Sequence, residues 1–149
     1  MIISKIRYCI VVYSQLPKYQ IQRLQKTQNT VASYVLGRYV KETDIIKTLG
    51  WLPISELMDF SITNCCFSAL HDPNWPKYLP VNIQESKRIT RRDNEMMVER
   101  GEKNTFIDQV YTTFNDLPKA IRIINNKNVF HREAKQYYRD RALARVLSL

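Results

Sequence analysis

The feature that most constrains the fold is a corner at Gly-Trp-Leu-Pro, residues 50–53, inside the stretch "TLGWLPISELMDF". Glycine takes the left-handed conformation that ends a helix at little steric cost, and proline suits the first turn of the following helix. Beyond the proline, apolar side chains recur three or four apart, as on one helix face: Ile54, Leu57, Met58, Ile62, Cys65 and Ala69. The pattern predicts two packed helices that meet at a sharp bend, with Trp51 and Leu52 as core residues inside it.

A second strong helical pattern covers residues 18–37 and ends at Gly37. Its spacing predicts an apolar face of Ile21, Leu24, Val31 and Val35, and an opposite polar face of Arg23, Lys26, Thr30 and Ser33. Further helices are predicted at 42–49, 53–71 and 128–147. Ordered structure is expected from Phe106 to Phe114, followed by a turn and helix start in "NDLPKAIR", whereas 2–14 fits either a buried helix or a strand. We therefore predict a mainly α fold, a compact single domain over 1–149 with five or six helices and an irregular basic loop or short hairpin near 81–104.

The charge of the chain points to a partner that carries phosphate. A formal net charge of +9 is high for 149 residues, while 44% hydrophobic residues are enough to form a core. An anionic membrane is disfavoured, because the most apolar early stretch, "YCIVVY", is far shorter than the ~20 residues that span a bilayer. Three cysteines form no disulfide framework, which indicates a reducing compartment, the nucleus or cytoplasm.

The basic excess lies in the first and last thirds of the chain, and it suggests candidate phosphate contacts. In the last helix Arg132, Lys135 and Arg139 share one ridge, while Phe130 and Tyr137 are predicted to point into the core. The ridge is ~10 Å long, about three steps along a nucleic-acid backbone. Further candidates are Arg23, Lys26, Arg88, Arg91 and Arg92. The alternative is a solvated charged face that keeps the protein soluble.

Signals for catalysis or metal binding are weak. Two-metal nucleotidyl transfer needs clustered carboxylates, and the closest approach to this is Asp93 with Glu95, which read better as solvated acids. Cys65, Cys66 and His71 lack the paired spacing of a zinc site. We predict no catalytic residue, no metal site and no cofactor in this chain.

Six stretches, taken in order, resemble one known family. They are "SKIRY", "RLQKTQNTVASYVLG", "LGWLPISELMDF", "ALHD" with a later "YLP", "FNDLPKAIR" and "VFHREAKQYY". The series is similar to the region C-terminal to the polymerase core in non-LTR (LINE-type) retrotransposon reverse transcriptases, especially Jockey-like elements. It covers nearly the whole chain, from Ser4 to about Leu143.

The resemblance implies a parent RNA-directed DNA polymerase whose upstream polymerase domains are partners of this segment. It also implies that this chain is not the part that performs the chemistry, because no residue here matches the Asp-Asp dyad of the palm. With the basic charge, the favoured function is a non-catalytic tail that binds RNA or an RNA–DNA hybrid beside the polymerase core. Phe114 stands where the family more often has Trp, and Thr30 where a basic residue is common. The alternative is a stand-alone helical protein-interaction module derived from a truncated retroelement.

Overall fold

The computed structural model describes residues 10–76, 81, 98, 102 and 105–148. The prediction of a mainly α fold is confirmed, since these residues form seven helical segments and no strand. The segments are α1 (Ile10–Tyr13), α2 (Lys18–Leu36), α3 (Glu42–Thr48), α4 (Ile54–His71), α5 (Phe106–Asn115), α6 (Lys119–Arg122) and α7 (Lys127–Leu147). The chain divides into two units, one made of Met1–Ser61 with Lys135–Leu149 and one of Ile62–Ala134. A single domain stays a prediction.

The predicted corner is confirmed in the first unit. Gly50 has a φ of 63°, and the Trp51 N–H donates to the Ile45 carbonyl at 3.2 Å, so the chain turns back on α3 directly after its last turn. The Pro53 carbonyl accepts the Leu57 N–H at 2.8 Å and opens α4, one residue later than the sequence predicts. Leu52 is buried, and the indole of Trp51 packs half-buried against a core cluster of Ala32, Val40 and Ile45.

Helix α2 ends as predicted, but its buried side includes a polar residue and excludes one that was predicted as core. Gly37 has a φ of 65°, and the Arg38 N–H reaches back to the Ser33 carbonyl at 3.2 Å, which closes the helix end. The buried residues of α2 are Gln28 and Ala32, whereas Val35, predicted as core, is 56% exposed. The prediction of the apolar face was wrong at Val35 only: its other three residues are half-buried, and the polar Gln28 lies at the centre of the same face.

Helix α7 also corrects one residue of the predicted core. Its buried positions recur every four residues: Phe130, Ala134, Tyr138 and Ala142. Tyr137 is only half-buried, so the prediction that it points into the core was wrong. The reason lies in the first unit, where the ring of Tyr138 meets the ring of Phe60 edge-on, with centroids 6.2 Å apart.

The second unit is built on aromatic packing. The ring of Phe130 stacks on that of Phe67 at 4.3 Å between centroids and lies 6.4 Å from that of Phe114. The side chain of Asn115 accepts from the Val98 N–H at 2.9 Å and donates to its carbonyl at 3.0 Å. Val98 itself is buried, at a position where the sequence predicts an irregular loop or a short hairpin. The rest of the predicted loop, apart from residues 81 and 102, lies outside the described residues, as does 2–9 of the first segment.

Candidate nucleic-acid interface

The side of α2 opposite Gln28 carries the best-placed basic residues of the described chain. Arg23 and Lys26 are both exposed, as the sequence predicts. The helix contains no aspartate or glutamate anywhere between Lys18 and Leu36, so neither cation has an acidic neighbour on its own helix. An acid-free row of exposed cations is the arrangement that attracts a phosphate backbone.

Two tyrosines that sequence reasoning missed lie on the same side of this helix. Tyr19 is 59% exposed and Tyr34 is 89% exposed. Successive residues of a helix are about 100° apart around its axis, so Tyr19, Arg23, Lys26, Thr30 and Tyr34 fall within about 80° of one another. We call these five residues the α2 outer face. The signal was present in the sequence, since each step along the face is three or four residues.

The inner side of α2 is fixed to the corner by two glutamines. The side-chain amide of Gln28 donates to the Leu52 carbonyl at 2.8 Å, and the side-chain oxygen of Gln25 accepts the Ile54 N–H at 2.8 Å. The amide of Gln25 also donates to the side-chain oxygen of Gln28 at 2.9 Å. These bonds satisfy a carbonyl inside the corner and the first orphan N–H of α4, so they hold α2 in one rotational setting.

Two arginines of the C-terminal helix are engaged in ion pairs within the first unit. Arg145 binds Glu42 at 2.6 Å and the buried Glu56 at 2.8 Å. Arg141 pairs with Asp59. Burial lowers the pKa of the Arg141 guanidinium, but its hydrogen bond to Asp59 and the charge of that carboxylate outweigh this and raise it. Part of the C-terminal basic excess is therefore neutralised internally, which composition alone does not reveal.

The predicted ridge on α7 is only partly solvent-facing. Arg132 is exposed, and its Nε donates to the side chain of Glu133 at 3.0 Å; Lys135 is exposed as well. Arg139 is half-buried, and its Nε is buried without a hydrogen-bond partner among the described residues. Its placement on the solvent face was wrong. Arg132 belongs to the second unit, and Lys135 and Arg139 to the first.

The remaining predicted basic candidates, Arg88, Arg91 and Arg92, lie outside the described residues, as do Asp93 and Glu95. Within the described ranges, no three His, Cys, Asp or Glu side chains are grouped so that they could hold a metal ion. The thiols of Cys65 and Cys66 have raised pKa values, through burial and, for Cys66, also through the charge of its neighbour. A raised pKa leaves a thiol neutral and poorly nucleophilic at neutral pH.

Compared with known proteins, the chain matches no family model, no curated protein and no solved structure. None of the helices in the described part is long and apolar enough to cross a membrane.

Proposed function

We propose that the chain is the non-catalytic C-terminal helical tail of a LINE-type retrotransposon reverse transcriptase, which binds RNA or an RNA–DNA hybrid beside the polymerase core. Two things support the proposal: the ordered series of sequence stretches that resemble this family, and the acid-free basic face of α2. The observation that carries the binding function is the exposure of Arg23 and Lys26 on a helix without a single carboxylate.

The chemistry of such a face is phosphate contact. Lysine and arginine side chains that replace counterions along a nucleic acid hold its position and register, but they do not read its sequence. This suits a tail that retains template or hybrid while upstream domains perform the synthesis. The proposal accordingly assigns polymerase chemistry to the parent protein, and the isolated chain should not extend a primer in the presence of Mg²⁺.

The test is a salt titration of binding by fluorescence anisotropy with a labelled 20-nucleotide RNA and the matching RNA–DNA hybrid. The affinity should fall log-linearly with salt. The double variant Arg23→Glu/Lys26→Glu should bind more weakly, and on the single-stranded RNA its salt slope should be reduced by about 1.4, because each single-strand phosphate contact contributes about 0.7.

A matched control excludes a simple effect of net charge. The variant Lys41→Glu/Lys47→Glu changes the net charge by the same amount, because it also replaces two exposed cations, one directly before α3 and one within it. It should lose less affinity and keep more of the slope than the α2 variant. Absence of RNA or hybrid binding by the unsubstituted chain at low salt would contradict the proposal.

The second candidate is a helical protein-interaction module, and exposed apolar side chains favour it. Val12 is 68% exposed and Val35 is 56% exposed. Such residues are found at partner surfaces as well as singly on ordinary ones. This candidate predicts that RNA binding is absent or does not vary with salt. It also predicts that Val35→Glu abolishes binding of a protein partner, whereas Arg23→Glu/Lys26→Glu leaves that binding unchanged.

A further inference from the structure

We infer that the α2 outer face is a stacking site for the unpaired bases of single-stranded RNA, with Tyr19 and Tyr34 as its two platforms. The inference rests on the proposed function and goes further, since it names the strand state of the ligand and the residues that select it.

The first step is the exposure of the two rings. Tyr34 is 89% exposed and Tyr19 is 59% exposed, although the same protein buries Tyr138 completely. A tyrosine ring that remains in water forgoes a large favourable burial of apolar area. An exposed ring beside cations gives a flat surface on which a base can stack, and stacking tolerates any base because each has a π-face.

The second step is the order of the side chains along the helix. Arg23, Lys26 and Thr30 lie between the two rings, at steps of three or four residues. The rings are 15 residues apart in sequence, which is ~22 Å along the axis at ~1.5 Å per residue. That length corresponds to about six stacked nucleotides at ~3.4 Å each. A strand lying along the face would place bases on both rings and phosphates near the two cations.

The third step is the choice of occupant. A protein or membrane partner that covered these rings would also have to accommodate the two cations, and the absence of any carboxylate on α2 favours a polyanion. A duplex already has its bases stacked inside, so exposed rings gain nothing from it, whereas unpaired RNA presents its bases for stacking. Charge and aromatic exposure together therefore point to single-stranded RNA.

The fourth step is preorganisation. The Gln25 and Gln28 hydrogen bonds to the corner fix the inner side of α2, so the outer face is presented without a folding step. A preformed face avoids part of the ordering cost of binding. The face should accordingly bind short oligonucleotides, about six to ten residues long, and not only long RNA.

The experiment measures Kd for a mixed-sequence ten-nucleotide RNA, the same backbone without bases, and a ten-base-pair RNA duplex, using the full chain. Tyr19→Leu and Tyr34→Leu should each raise Kd for the single strand about 5- to 150-fold, because one base–aromatic stack is worth that factor. The Kd for the abasic strand and the duplex should change less than twofold. Tyr34→Phe keeps the ring and should restore binding to within about threefold.

Tyr39 supplies the matched control, because it is 86% exposed but lies beyond the Gly37 stop and outside α2. Tyr39→Leu should leave Kd for the single strand within about twofold. An equal loss at Tyr39, or unchanged single-strand binding in both α2 tyrosine variants, would overturn the stacking site.

Failure of the stacking site and failure of the proposed function are distinguishable. If Arg23→Glu/Lys26→Glu weakens binding and the tyrosine variants do not, the tail binds phosphate only and the stacking site is refuted. If the unsubstituted chain binds no nucleic acid, both proposals are refuted. If Tyr34→Leu instead abolishes self-association measured by sedimentation, with RNA binding intact, the occupant is a second copy of the chain and the inference is wrong.

Discussion

Replacing Gln28 with methionine should destabilise the protein by about 2 kcal/mol, although the substitution is hydrophobic and nearly isosteric. Gln28 is 1% exposed, and its amide donates to the carbonyl of the buried Leu52 at 2.8 Å. Methionine fills the space but leaves that carbonyl without its donor, which costs about 1–3 kcal/mol. It also removes the bond from Gln25, while the easier burial of a thioether offsets roughly 1 kcal/mol of the loss.

The assay is urea unfolding followed by circular dichroism, together with thermal melting. At roughly 2–4 °C per kcal/mol for a chain of this size, the midpoint should fall by about 4–8 °C. Gln22→Met is the matched control, because Gln22 is an exposed glutamine on the same helix, and methionine and glutamine have similar helix propensity. Equal stability of the two variants, or a stabilised Gln28→Met, would refute the claim that these glutamines hold the corner.

Three further predictions concern the two units. Arg145→Met should lower the free energy of unfolding by about 2 kcal/mol in the otherwise unsubstituted chain, because it leaves the buried Glu56 carboxylate without its cation. The loss should be clearly smaller in a Glu56→Gln background, and equal losses in this double-mutant cycle would contradict the pairing. Tyr138→Ala should cost roughly 3–5 kcal/mol and the half-buried Tyr137→Ala clearly less, and the reverse order in urea unfolding would contradict the assigned core. Because burial and the charge of Cys65 raise the pKa of the folded Cys66 thiol above its ordinary value of 9.0, the stability that this thiol contributes is fully present at lower pH and is lost as the unfolded thiol ionises. Above about pH 9, Cys66 alone should lower the unfolding free energy by at most about 1.4 kcal/mol per pH unit, and Cys66→Ala should remove that share of the slope in urea unfolding.

The helices could be predicted because glycine and proline residues mark where several of them end or begin. Gly37 and Gly50 both adopt positive φ, as the sequence predicts, and α4 begins at Ile54, one residue after the predicted start. Helix α7 begins at Lys127, one residue before the predicted start. Local signals of this kind depend on a few neighbouring residues, which is why they survive without knowledge of the tertiary structure.

The sequence could not predict which face of a helix is buried or which side chains form ion pairs, because both depend on residues distant in sequence. From the sequence Gln28 is expected at the surface, but in the structure it is buried and donates to the carbonyl of Leu52, 24 positions away. Arg145 looks like a solvent-facing cation until Glu42 and Glu56 meet it. Tyr137 and Tyr138 are adjacent, and the buried one of the two is Tyr138, whose ring meets that of the distant Phe60.

The candidate interface shows the same division. Helical spacing predicts that Arg23 and Lys26 lie on the polar face of α2, and both are exposed in the structure. Tyr19 and Tyr34 were missed, because aromatic residues are ordinarily assigned to the core, and their exposure to solvent is apparent only in the folded structure. On the C-terminal helix the charge count overstated the available cations, since Arg141 and Arg145 are engaged in ion pairs.

The most direct test of the central claim is to map where RNA touches the chain. A ten-nucleotide RNA carrying 4-thiouridine is crosslinked to the protein by light, and the modified peptides are identified by mass spectrometry after trypsin digestion. The account predicts crosslinks in the peptides that contain Tyr19 and Tyr34, on either side of the cleavage sites at Arg23 and Lys26. Crosslinks confined to other helices, with none between Lys18 and Leu36, would contradict it.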